Sequence, residues 1–348
     1  MRRLVLLALT LTVLASATPA AQAASTAPVT IRLVTHDSFA VSKSVLDAFT
    51  RQTGITVDVL PSGDAGAALN QVILTKSSPI GDAFYGLDNT FLSRALDAGI
   101  FQPYQSPQLA SVRSIYQLDS KHRVTPIDHG DVCINYDKTW FASHRIPVPA
   151  SLDDLTKPAY KGRLVVENPA TSSPGLAFVL ATIARYGDGG WRGYWAKLRA
   201  NDVQVVDGWD QAYNGSFSAG GGNGTVPLVV SYASSPPAAV VNANPQPAQS
   251  PVGTMLSSCF RQIEFLGILK TTRHAAAARK LVDFMLSQRF QADMPLQMYV
   301  FPVRDGTPLP TVFTKFAEVT TNPLTIPAAQ IGRNRERWIN EWTAAVLR

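Results

Sequence analysis

Read for the spacing of its apolar positions, the chain alternates short runs of period two with longer segments of helical period. Val29-Thr30-Ile31-Arg32-Leu33-Val34 opens the series as a mostly alternating strand. A helix over 42–52 follows, with Val45, Leu46 and Phe49 on one face and Gly54 to stop it. Residues 55–60 form the next strand, and a second helix runs from Gly63-Asp64-Ala65-Gly66 to about Lys76. A third strand, 82–86, ends at the polar loop Leu87-Asp88-Asn89. The same grammar predicts strands at 131–136, 164–167, 203–206, 227–232, 263–269 and 298–303. It predicts helices at 176–185, 191–199, 275–287 and 327–347, and a short one that Ser151 caps ahead of Asp153 and Asp154. Strands alternating with helices imply an α/β layer structure with a largely parallel sheet. Trp338 and Trp342, four residues apart, share a face of the last helix and are expected to pack on the body. Residues 236–251, rich in Pro and Ala, read as a surface excursion.

The first residues follow a different rule. Met1-Arg2-Arg3, an apolar run from Leu4 to Ala15 and the small residues around Ala21-Gln22-Ala23 make up a signal peptide over 1–23, cleaved near Ala23. The apolar run is about a dozen residues, short of the roughly 20 that span a bilayer. No later segment reads as a transmembrane helix, and no cysteine near the cleavage site offers a lipidation signal. The expectation is an exported, periplasmic, soluble protein that does not span the membrane. The remaining chain of about 325 residues is longer than one hydrophobic core usually grows, which favours two lobes. With 46% hydrophobic and 16% charged residues there is ample apolar surface for folding. The formal charge of +6 is dispersed, without the basic stripe and interleaved aromatics of a nucleic-acid binder. Cys133 and Cys259 form an even pair in a compartment that permits a disulfide, but two buried thiols fit the sequence equally.

An enzyme needs a reactive group, and the motifs that carry one are missing. The histidines are His36, His122, His129, His144 and His274, and no two have HExxH or HxH spacing. Residues 215–220 come closest to a G-x-S-x-G elbow and lack its first glycine. There is no P-loop, and Gly220-Gly221-Gly222-Asn223-Gly224 reads as a flexible loop more than a phosphate cradle. We therefore expect no catalytic residues, no metal and no cofactor. What recurs is polar and aromatic residues at strand ends, where open α/β sheets bind ligands. Asp64, Asp88 and Asp128 lie beside apolar strands, and Ser172 and Ser173 precede Pro174 at a helix start suited to an anion. Trp209 follows Asp207-Gly208, and Tyr232 ends a strand. Taken singly, such residues are more often caps or core. Together they suggest walls for a flat ring.

Six segments in order, covering nearly the whole mature chain, carry a resemblance: 36–39 (HDSF), 86–89 (GLDN), 169–176 (PATSSPGL), 208–213 (GWDQAY), 228–236 (LVVSYASSP) and 337–342 (RWINEW). In these the sequence resembles the thiamine-binding periplasmic proteins of ABC importers. The resemblance implies a type 2 periplasmic-binding fold, with lobe one over 24–129 and 260–348 and lobe two over 130–259, joined by hinge crossings. Cys133 and Cys259 would then lie just past the two crossings, which raises the expectation of a disulfide bracing the hinge. It implies a site built from Asp64 with Ala65 (where a glycine is usual), Ser172, Ser173, Trp209, and Tyr232 with Ala233, Ser234 and Ser235. Tyr299 stands where tryptophan is expected, and His36 where tyrosine is common. Asp37 and Asp88 are further carboxylates for a cation. The implied ligand is thiamine, its monophosphate or its diphosphate. The implied partners are an ABC permease and its ATPase, with the binding protein itself a monomer. The alternatives are a polyamine- or ferric-ion-binding protein of the same fold and, from another class, a secreted hydrolase.

Overall fold

The computed structural model describes residues 29–348; the signal peptide read over 1–23 lies outside the described residues. The first layer is built as the periodicity requires. Strand β1 (Val29–Thr35) is followed by helix α1 (Lys43–Thr53), β2 (Ile55–Pro61), α2 (Ala65–Leu74), β3 (Ala83–Asp88), α3 (Leu92–Asp97) and the short β4 (Phe101–Gln102). Gly54 ends α1 at φ 72°, a left-handed turn that glycine adopts without strain. Then come the long β5 (Thr125–Asp137), α4 (Lys138–His144), β6 (Leu164–Glu167), α5 (Ser173–Ala200), β7 (Gln204–Val206), β8 (Leu228–Tyr232) and α6 (Ala238–Val241). The chain closes with β9 (Val252–Leu269), α7 (Ala275–Met285), α8 (Gln288–Gln297), β10 (Phe301–Pro302), α9 (Thr311–Phe316) and α10 (Ala328–Val346).

All the strands join one sheet of order β2-β1-β3-β9-β5-β8-β6-β7, with β4 on β9 and β10 on β5. Its two wings are parallel, β2-β1-β3 on one side and β8-β6-β7 on the other. Its centre is not. Strands β5 and β9 pair antiparallel with each other and with the wing strands beside them, so the sheet is mixed where a largely parallel one was expected.

The long central strands run from one lobe into the other. The first half of β5 and the second half of β9 serve the β1–β3 wing, and the remaining halves serve the β6–β8 wing. Between the two the register breaks, from Val132 opposite Phe260 to Ile134 opposite Met255. Cys133 and Cys259 are disulfide-bonded at that irregularity. Sequence placed β9 only at 263–269 because its first half carries polar residues at buried positions: Ser258, fully buried, accepts the Ile134 amide.

Helix α5 holds two predicted helices in one, broken at Gly187 (φ 70°). Its Trp191 and Trp195 are fully buried, and Trp195 meets Trp342 of α10 edge-on at 5.4 Å between ring centroids. Trp338, also buried, donates its indole N–H to Asp188. The other end of α10 touches lobe one, where Gly332 abuts Ser93 and the Arg335 guanidinium lies over Phe91. The apolar face of this helix is thus shared between α5 and the segment at the start of α3. A correction concerns 236–251. Pro236 to Ala238 are buried, and the exposed excursion begins at Asn242. Among the described residues no helix is long and apolar enough to cross a membrane.

Candidate functional site

A cavity of about 440 Å³ opens between the lobes at the carboxyl ends of the wing strands, within the roughly 300–1,000 Å³ usual for small-molecule sites. Lobe one supplies His36 to Ala40 after β1, Asp64 before α2, Glu264 of β9, and residues 297–300. Lobe two supplies Ser173 and Pro174, the turn from Trp209 to Asn214, Tyr232, Ser235 and α6.

Helix starts position the first groups. Asp64 caps α2 by accepting the Ala65 amide at 2.5 Å, and its other oxygen accepts the Trp209 amide of lobe two at 2.9 Å. Ala67 N–H donates to the Thr171 carbonyl at 3.1 Å a turn further on. Gly66 lets the backbones come this close: a Cβ there would lie 2.8 Å from that carbonyl. At the start of α5, Ser172 Oγ caps the Gly175 amide at 3.4 Å, and Pro174 has no N–H to offer.

Aromatic rings form the lobe-two wall. Trp209 stacks on Tyr213 with centroids 4.9 Å apart and planes 13° from parallel, and meets Tyr232 edge-on at 6.5 Å. Its indole N–H donates to Ser231 Oγ at 2.9 Å, which bonds Ser235 Oγ at 3.0 Å. Gln262 donates to the Tyr232 hydroxyl at 2.9 Å, so the ring is held at both ends. Tyr299 lies not in a strand, as predicted, but in the turn before β10, at φ 54°. An aromatic residue rarely adopts that conformation, and such strain concentrates at binding sites.

Lobe one supplies charge. The Tyr85 hydroxyl reaches Asp128 Oδ2 at 2.5 Å and Glu264 Oε2 at 3.0 Å, and His36 Nε2 lies 3.8 Å from Glu264. Gly86, at φ 99°, makes room for the His36 ring, which a Cβ would meet at 2.3 Å. Burial, reinforced by Glu264, drives the Asp128 carboxyl well above the carboxylate range. Burial likewise lifts Asp88 to about 7 against the bonds from Thr90. Burial opposes a charged His36, yet Glu264, Asp64 and Asp37 outweigh it and raise the imidazole's pKa. Asp64 is raised by burial in spite of its two amide donors.

Of the residues read from sequence, His36, Asp37, Asp64, Ser173, Trp209, Tyr232, Ser235 and Tyr299 converge on the cavity. The others do not reach its wall. Ala65 and Ser172 belong to helix caps, and Asp88 is buried behind the floor, bonded to Thr90. Ala233 packs on the disulfide, and Ser234 is buried next to Gly130. Sequence reasoning missed Glu264 and Tyr213. The signal for Glu264 was a lone acid inside the apolar run Ile263–Leu269, and Tyr213 follows Trp209 by one helical turn. Among the described residues no three metal-ligating side chains converge.

The family model described as bacterial extracellular solute-binding protein matches residues 78–318. The chain is 31% identical to the thiamine-binding periplasmic protein of Brucella suis biovar 1, an alignment covering all of both chains. Against the thiamine-binding periplasmic protein of Escherichia coli K12 it is 28% identical over 93% of this chain and 96% of that one. Among solved structures it resembles a periplasmic thiamin binding protein with a TM-score of 0.80 and 26% identity, over 92% of this chain and 96% of the other.

Proposed function

Because the chain belongs to the bacterial extracellular solute-binding proteins, and within them to the thiamine-binding periplasmic proteins, we propose that it captures thiamine between its lobes and delivers it to an ABC importer. The observation that carries the ligand is the pairing of walls: stacked aromatic rings from lobe two face the carboxylates Asp64 and Glu264 from lobe one. Thiamine joins a flat aminopyrimidine to a permanently cationic thiazolium. The ring stacks on aromatic faces, and the cation is attracted both to those faces and to the carboxylates. Neither partner demands a reactive group, which suits reversible capture. The Asp64–Trp209 and Ala67–Thr171 hydrogen bonds join the lobes beside the cavity, so closure sequesters the ligand and presents one shut surface to the permease. The route of export, the periplasmic location and the permease with its ATPase are part of the same proposal.

Isothermal titration of the exported protein with thiamine tests it, with spermidine and ferric citrate as controls. The expected result is one-to-one thiamine binding that weakens about 30-fold or more in Trp209→Ala, the scale of a buried aromatic anchor at ~2 kcal/mol. Heat from spermidine or ferric citrate and none from thiamine would leave the fold standing and overturn the ligand.

A further inference from the structure

We infer that Asp128 and Glu264 share a proton through Tyr85, and that capture of a cationic ligand releases it; the inference rests on the thiamine reading above. Glu264 lines the cavity, whereas Asp128 and Tyr85 lie behind it as positioning residues. All three are buried. The Tyr85 oxygen lies 2.5 Å from Asp128 Oδ2 and 3.0 Å from Glu264 Oε2. A phenol has one proton to donate, and an ionised carboxylate has none. Tyr85 therefore donates to one carboxyl, and the other contact closes when that carboxyl donates a proton of its own to the phenol oxygen. Other donors are few. Gln262 donates to Glu264 Oε1 at 3.2 Å, and Asp128 Oδ1 is buried with no partner. Among the described residues no lysine or arginine bonds either carboxyl. Two buried like charges so poorly supplied repel each other, and one proton between them removes the repulsion.

The ionisable groups around the pair act in the same direction. Asp88 shares β3 with Tyr85, and Asp37 and Asp64 face the cavity from lobe one. Tyr232 of β8 contributes a neutral hydroxyl, bonded by Gln262. His36, 3.8 Å from Glu264, is the group of opposite sign. Burial, reinforced by Glu264, raises the Asp128 carboxyl, as expected for a pair that keeps a proton. A thiazolium seated against Glu264 brings a permanent positive charge, and an opposite charge within ~4–6 Å favours ionisation. The carboxyl O–H bond then breaks with both electrons left on the carboxylate. Tyr85 keeps its own proton, and the buffer takes the one released. His36 is the other group able to shed a proton to an arriving cation, so the two sources must be separated. Asp128→Asn keeps an oxygen for Tyr85 and carries no titratable proton, whereas His36→Gln removes the imidazole and leaves the carboxyl pair.

The test is isothermal titration of the exported protein with thiamine at one near-neutral pH, in phosphate and in Tris. These buffers differ widely in heat of ionisation, so the difference in observed enthalpy counts the protons released. The expected result is release of about 0.5–1 proton per thiamine, with a Kd that rises as pH falls from about 8 to 6, by at most about tenfold per unit. Release falls below half the parent's value in Asp128→Asn and persists in His36→Gln. Equal enthalpies in the two buffers overturn the shared proton and leave thiamine capture intact. So does release that is unchanged in Asp128→Asn or lost in His36→Gln. Absence of binding in both buffers overturns the shared proton and the thiamine reading together.

Discussion

A single buried carboxyl shows how the site constrains the rest of the molecule. Asp88 keeps its proton up to about pH 7 in the folded chain, whereas an unfolded aspartate releases it near 4. Between those values the folded state binds the extra proton, so this residue's contribution to stability falls as pH rises through that window. The penalty is complete above about pH 8, with an upper bound of about 4 kcal/mol from a shift of roughly three units. Asp88→Asn keeps the oxygen that accepts from Thr90 and cannot ionise. Urea unfolding at pH 5 and pH 8 should therefore show the variant gaining about 1–4 kcal/mol relative to the parent at the higher pH. An unchanged difference between the two pH values would mean Asp88 is solvated as an ordinary carboxylate. Which residues reach the cavity was partly legible in the sequence. Asp64, Trp209 and Tyr232 could be found because acids and aromatics at strand ends have few structural duties there. Ala233 and Ser234 were carried along with their neighbour Tyr232, yet Ala233 packs against the disulfide and Ser234 is buried next to Gly130.

Among elements, the first turn of α2 decides most, because it caps itself, lines the cavity and abuts the other lobe. Gly66→Ala tests this directly. The added methyl would lie 2.8 Å from the Thr171 carbonyl, so the lobes cannot close to their present separation. Within the helix, though, alanine is favoured over glycine by about 1 kcal/mol. We expect faster thiamine release by stopped flow, with a melting temperature of the free protein equal to or above the parent's. Slow release at the parent's rate would show that the bound form does not use this contact. Element positions were legible wherever apolar periodicity was strong, as in β1, α1, β6 and α10. Helix α8 escaped notice because Pro295 and four glutamine and aspartate positions blur its apolar face, and Phe290, Gln291 and Met294 become buried only once the body packs on them. The half of β9 before residue 263 escaped for a similar reason, its Ser257 and Ser258 hydroxyls finding long-range partners in the Ala150 carbonyl and the Ile134 amide.

For the whole molecule, two lobes followed from length alone, while the antiparallel centre did not. The β5–β9 pairing brings together segments more than 100 residues apart, and no local pattern encodes it. The disulfide lies within that pairing and closes a loop of 126 residues. Chain-entropy arguments put the stabilisation of such a link at up to ~5 kcal/mol, commonly 2–4. The double variant Cys133→Ala, Cys259→Ala should lose stability in that range in denaturant titrations and still bind thiamine, since neither sulfur lines the cavity. Loss of binding in the folded variant would instead assign the bridge a part in setting the lobe angle.

Helix α10 adds a consequence of timing. Lobe two is drawn from the middle of the chain, yet the ring that covers its Trp195 is that of Trp342, on α10. A nascent chain that has yielded every strand of that lobe still leaves this tryptophan face uncovered. Its packing is completed only once Trp342 has emerged, well after the last strand of that lobe.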